Sequence, residues 1–129
     1  DLRRANLHAA SLVKADLRGA SLRGADLTGA NLLNADLRDG SLAAQDRDGG
    51  IRVITVETSP ADMEGANLSN ANLSQAKLSG AIAMHTDFTD AVMRGTKLVR
   101  ANLRNATLNG AILEGADLSG ADVRGASLR

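Results

Sequence analysis

The chain repeats a unit of five residues, a period that neither a regular helix nor a straight strand can bury on one side. Leucine recurs at Leu2, Leu7, Leu12, Leu17, Leu22, Leu27, Leu32, Leu37 and Leu42, and alanine stands two residues ahead of most of them, from Ala5 to Ala35. In an α-helix five residues turn the side-chain direction by about 500°, so successive leucines lie roughly 140° apart and no apolar stripe forms. In a straight strand an odd period sends alternate leucines to opposite faces. The pattern becomes consistent when each unit is a short extended piece followed by a corner. Alanine and leucine then both point inward, the residue between them points outward, and the units wind into a solenoid.

The remaining positions agree with corners. Asp16, Ser21, Asp26, Asn31 and Asp36 stand between the alanines and leucines, and such short polar side chains hydrogen-bond nearby backbone and support turns. Gly19, Gly24 and Gly29 fall two residues after a leucine, where a corner favours a residue without Cβ.

Units such as Ala15-Asp-Leu-Arg-Gly, Ala66-Asn-Leu-Ser-Asn and Ala116-Asp-Leu-Ser-Gly resemble the A(D/N)LXX motif of pentapeptide-repeat proteins, over residues 1–42 and 61–129. That resemblance implies an all-β fold, a right-handed quadrilateral β-helix with four units per coil. Residue n then lies beneath residue n+20. Nine central positions in the first block and fourteen in the second make nearly six coils, a rod roughly 28 Å long at the usual strand spacing. The second block runs through Met63, Leu68, Leu73, Leu78, Ala83, Phe88, Met93, Leu98, Leu103, Leu108, Leu113, Leu118, Val123 and Leu128. Ala83 should leave room between Met63 and Leu103, with Met84 nearby, and Phe88 should stack between Leu68 and Leu108. Phe88 is the one aromatic residue, so the core is built from small aliphatic side chains.

Leu42 and Met63 are 21 residues apart, so the frame slips by one between the blocks. Residues 43–60, AAQDRDGGIRVITVETSP, contain the only proline and a β-branched run behind a Gly-Gly turn, which reads as a loop or hairpin leaving the rod. With one unit between Leu42 and Met63 on the coil, sixteen residues are in excess. The chain is therefore expected to form one domain over 1–129, with a first block 1–42, an inserted loop 43–60 and a second block 61–129. Within the insertion, Arg47, Asp48, Ile51, Arg52, Val53, Ile54 and Val56 form the candidate interaction loop, because its apolar members exceed what a solvated loop carries and are expected to pack on a coil face or on a partner.

Composition narrows function mainly by exclusion. Fifteen basic and fifteen acidic side chains cancel, so no global field attracts nucleic acid or an anionic membrane. The chain lacks cysteine, which removes disulfides, thiolate metal sites and cysteine nucleophiles and fits a reducing compartment. No apolar run is long enough to span a membrane and no signal peptide opens the chain, so a cytoplasmic location is expected. The start at Asp1 and Leu2, partway through a unit, reads as that of an excised or processed piece.

His8 and His85 fall at outward positions on distant coils, with no nucleophile and carboxylate beside them. Asp46 to Glu57 imitates a calcium loop only in part, since Ile51 stands where the sharp turn needs glycine. No catalytic residue, metal or cofactor is expected. Outward charges stack between coils, Arg18 under Arg38 and Asp16 under Asp36, with Arg104 and Arg124 repeating the theme beside Asn102 and Asp122. This is a mixed-charge ladder or an anion-binding strip. Val13 over Leu33 and Val92 over Ile112 make two small outward apolar strips.

The reading that follows is a non-catalytic scaffold or protein-protein interaction module, with a protein partner and no membrane or direct nucleic-acid contact, its open coil ends expected either to carry flanking sequence or to associate end to end as a homo-oligomer. The alternative is a DNA-mimicking protector of DNA gyrase of the quinolone-resistance type. The resemblance to that group lies in coil and excursion. The departures are zero net charge, abundant arginine and no C-terminal dimerising helix.

Overall fold

The computed structural model describes residues 1–45 and 51–129, with side chains outside 41–57. Its backbone is a four-sided β-helix. Parallel bridges join each rung to the next at the residue ahead of the central position: Asn6 to Asp26, Asn67 to Asp87, Val92 to Ile112, and Asn102 to Asp122. The inward side chains consequently form four columns, one per face. Face 1 stacks Leu2, Leu22, Met63, Ala83, Leu103 and Val123. Face 2 stacks Leu7, Leu27, Leu68, Phe88, Leu108 and Leu128. Face 3 runs from Leu12 through Leu32, Leu73 and Met93 to Leu113, and face 4 from Leu17 through Leu37, Leu78 and Leu98 to Leu118.

Corners form because the alanine N–H of one unit donates to the leucine carbonyl of the preceding unit, as in Ala5 to Leu2 at 3.1 Å and Ala30 to Leu27 at 2.9 Å. The third residue of these turns has positive φ, from His85 at 55° to Gly80 at 73°, as in a type II turn. Glycine suits that position. Gly110 shows a second reason for it: a Cβ there would run into the Asp90 carboxylate, which folds over it from the coil before. Ten non-glycine residues also adopt the conformation, among them Ala9, Lys14, Gln75 and His85.

Where the outward residue ahead of the central position is Asp or Asn, it braces the turn. Its side-chain oxygen accepts from the N–H two residues on: Asn6 from His8 at 3.1 Å, Asp26 from Thr28 at 3.0 Å, Asn67 from Ser69 at 2.9 Å and Asp117 from Ser119 at 3.0 Å. The chemistry expected of the Asp and Asn positions is thus realised as Asx turns.

The middle coils carry the buried core, from Leu22 to Leu37 and from Ala61 to Leu108. Phe88 is fully buried between Leu68 and Leu108, and Ala83, also fully buried, lies between Met63 and Leu103. The largest and smallest central residues share one coil, which keeps the interior volume even. Met84 is half-buried on the outward side, so it does not enter the space left by Ala83. Each inward leucine contributes about 1.5–3 kcal/mol on burial. Two alanine seats hold threonine instead. Thr86 and Thr96 are fully buried, and their hydroxyls donate to the Met63 and Leu73 carbonyls, each at 2.8 Å.

The point of departure differs from the expectation. Ser21 pairs with Asp62, so Ala61, Asp62 and Met63 take the seat that directly follows Leu37. Leu42 is not a ninth central residue. It lies in β1 (Gly40–Gln45), opposite Glu57 of β2 (Ile51–Ser59). Leu37 and Met63 are 26 residues apart in sequence and one five-residue unit apart on the coil, so 21 residues, 40–60, lie off it rather than sixteen. The eight and fourteen central residues make about five and a half coils.

Candidate functional site

β1 and β2 form an antiparallel hairpin that leaves the corner after Leu37. Gly40 pairs with Ser59, Ser41 with Thr58 and Leu42 with Glu57, after which the register shifts and Ala44 pairs with Arg52. The β2 residues between Arg52 and Glu57 therefore have no partner on β1. Of the candidate interaction residues, Ile51, Arg52, Val53, Ile54 and Val56 fall in β2, so the β-branched run is a strand. Their side chains, and Arg47 and Asp48 altogether, lie outside the described residues.

The base of the hairpin is held by backbone. A Cβ on Gly40 would stand 2.7 Å from the Arg18 carbonyl oxygen and 3.0 Å from the Gly19 Cα. A Cβ on Gly19 would meet the Ser59 carbonyl oxygen at 3.2 Å. Gly19 on the coil and Gly40 at the start of the excursion thus let the hairpin base rest directly on the corner below.

The outward face beside this base is charged. Arg18 donates from Nε and Nη2 to Asp16 at 2.9 and 2.7 Å, and Arg38 does the same to Asp36 one coil on. The Arg18 hydrogen bonds hold the Asp16 carboxyl at about 2, well below its ordinary 3.8. Asp36 is likewise lowered, chiefly by Arg38 and in part by Lys77. Arg124 holds Asp122 at about 2 near the far end of the rod. The other predicted member, Arg104, takes its backbone N–H to Asn102 at 3.2 Å. The expected ladder is present, and half-exposed pairs of this kind add little stability each.

Open grooves follow the corners. One, of about 630 Å³, is lined by Arg18, Arg38, Asp39, Ser79, Gly80, Val99 and Arg100, next to the hairpin base. Another, about 740 Å³, runs between Arg4 and His85 over Gly24 and Gly65, with Arg23 bound to Asp62 and Glu64 on its wall. His8 and His85 are both exposed, on the first and fourth coils. Val13 and Ile112 are exposed on face 3, and Val92 bridges to Ile112 as the register required. Among the described residues, no three His, Asp or Glu side chains are placed to hold a metal, and no helix is long and apolar enough to cross a membrane.

Sequence reasoning passed over the turns after Lys77 and Lys97. There the outward Asp or Asn is replaced by lysine, and the signal was the residue type at that position.

Tandem five-residue units on a four-sided coil define a pentapeptide-repeat protein. The family model for pentapeptide repeats matches residues 1–39, 61–98 and 96–129, and the chain belongs to that family. Its coil is accordingly a right-handed quadrilateral β-helix. The chain is 30% identical to the pentapeptide-repeat protein Rfr23 of the cyanobacterium Cyanothece 51142, with a TM-score of 0.67, over 85% of this chain and 60% of that one. HetL of Nostoc, a pentapeptide-repeat protein involved in heterocyst differentiation regulation, is 28% identical over 97% of this chain and 60% of its own, with a TM-score of 0.32. QnrB1, a plasmid-mediated fluoroquinolone resistance protein, is 19% identical over 92% of this chain and 58% of its own, with a TM-score of 0.45. The chain thus spans less than two thirds of the length of each. No curated protein sequence matches it significantly.

Proposed function

We propose that the protein is a non-catalytic scaffold that engages a protein partner through the hairpin 40–59 and the coil face beside its base. The observation that carries this reading is the unbroken ladder beneath the hairpin: Asp16 pairs with Asp36, and the next outward residue, Ser21, pairs with Asp62. A coil that closes under 21 off-ladder residues does not need them for its own pairing, which leaves them free for recognition. The strand they include offers main-chain groups and β-branched side chains, the usual material of strand-mediated binding. A cytoplasmic setting belongs to the same proposal.

The gyrase-protector reading stands second. A DNA mimic needs an acidic rod, and faces 1 and 4 carry Arg3, Arg23, Arg104, Arg124, Arg18 and Arg38 along their length.

Excising 40–60 joins Asp39 to Ala61 and sets Leu37 and Met63 five apart, restoring the period. The variant should keep the β-helical circular dichroism of the parent. Used as immobilised baits in an extract, the two forms should differ: proteins held by the parent should be missing from the excised form. Identical retained sets would remove the hairpin from the function.

A further inference from the structure

On face 4 the outward residues read Asp16, Asp36, Lys77, Lys97 and Asp117 from coil to coil. At the three aspartates, Oδ1 accepts from the N–H two residues on, Arg18 and Arg38 at 3.2 Å and Ser119 at 3.0 Å. At the two middle rungs the acceptor is gone. Neither Ser79 N–H nor Val99 N–H donates to a protein acceptor among the described residues.

Elsewhere an outward residue without an acceptor is apolar, as at Val92 and Ile112 on face 3. Only on face 4 does a cation stand in its place. Lys77 and Lys97 are exposed, bridged to one another on successive coils, and without a carboxylate at ion-pair distance among the described residues. Stacking two like charges on adjacent rungs is unfavourable in itself. Both open turns line the 630 Å³ groove, with Arg38 and Arg100 at its rim.

We propose that these two rungs bind a phosphate-type oxyanion, seated where the Asx oxygen lies on the rungs to either side. Ser79 N–H and Val99 N–H are about 4.8 Å apart along the coil axis, so two oxygens of one phosphate reach both at ordinary hydrogen-bond length. Arg18, Arg38 and Arg100 line the groove and Lys77 and Lys97 stand two residues ahead of its open turns, so cations of both kinds surround the seat, and charge-assisted donors of this sort favour a dianion. The neighbouring carboxylates leave the seat open. Asp36 is spent on Arg38, and Asp117 accepts from the Ser119 N–H and hydroxyl. Asp39, whose carboxylate lies over Gly80, is the acidic residue among those lining the groove. The site lies on the coil face beside the hairpin base, and its test reads phosphate alone, whatever the hairpin itself binds.

The test is a titration of the full chain with inorganic phosphate, followed by amide NMR at ionic strength held constant with chloride. The Ser79 and Val99 amides should shift saturably, while those of Arg38 and Ser119, already capped, stay in place. The double variant Lys77→Asn, Lys97→Asn restores an Asx oxygen on both rungs, so it should fold at least as stably and lose the response. Absence of a saturable shift in the parent, or its persistence in the double variant, would overturn the proposal. A parallel titration with a short phosphoserine peptide separates the sources. A tighter response to the peptide assigns the site to a phosphorylated protein, and an equal one to the free ion.

Discussion

Lys14 shows what the corners demand of single residues. It is exposed and holds φ at 58°, a left-handed conformation that costs a residue with Cβ roughly 1–2 kcal/mol. Glycine adopts it freely but gives up about 0.5–1 kcal/mol through the greater freedom of the unfolded chain. Lys14→Gly should therefore stabilise the protein by a few tenths to about 1 kcal/mol, and Lys14→Ala should not. Denaturant midpoints of the two variants decide the matter. The residue scale was also the most legible in sequence. Asp and Asn ahead of leucine are turn formers by chemistry alone, and they became Asx turns. Thr86 and Thr96 were not foreseen, because their hydroxyls bond carbonyls that belong to the coil beneath, and local spacing does not reveal those.

At the scale of the element, the hairpin depends on contact between two glycines. Gly40 falls where the period would place an inward alanine, but it lies off the coil in β1, its Cα against Gly19, and a Cβ on it would overlap the Arg18 carbonyl. The clashing atoms are backbone, so they do not rotate away. Gly40→Ala should lower stability by about 1–3 kcal/mol, as overpacking does. Measuring melting temperatures in the parent and in the form lacking 40–60, where that residue is absent, sets the baseline; a harmless Gly40→Ala would mean that the base does not rest on the coil. The misassignment of Leu42 has the same origin. It stands five residues after Leu37, behind a serine, and satisfies the local period fully. What removes it from the coil is its pairing opposite Glu57, 15 residues further on in sequence. Glycine in place of alanine at position 40 was the available sign. The candidate interaction residues were legible as a strand, from β-branching, but not in their side-chain arrangement.

At the scale of the whole molecule, charge is distributed as neutral pairs along both ends of the rod. Asp16 and Asp122 titrate at about 2 in the folded protein against 3.8 ordinarily, because Arg18 and Arg124 hydrogen-bond their charged forms. A carboxylate with a lowered folded value stabilises above its unfolded value and loses that contribution as pH falls through the folded one. Melting temperature should therefore be flat from neutral pH to about 5 and decline between about 4 and 2. The double variant Asp16→Asn, Asp122→Asn keeps the Asx acceptors and removes the titration, so its decline should be shallower. Equal acid profiles would assign the loss to other groups. The overall shape was readable from the period because every inward position repeats the same small set of residues. The number of sides came from resemblance, since the period requires corners but does not count them.

The ladder that closes beneath the hairpin also makes one corner of this rod interchangeable. Because Ser21 meets Asp62 as any rung meets the next, the coils above and below carry no memory of what is threaded between Asp39 and Ala61. A segment of different length or chemistry whose ends match Gly40 and Ser59 can replace the present one without disturbing the stack. That position can thus take another insert while the rod stays the same.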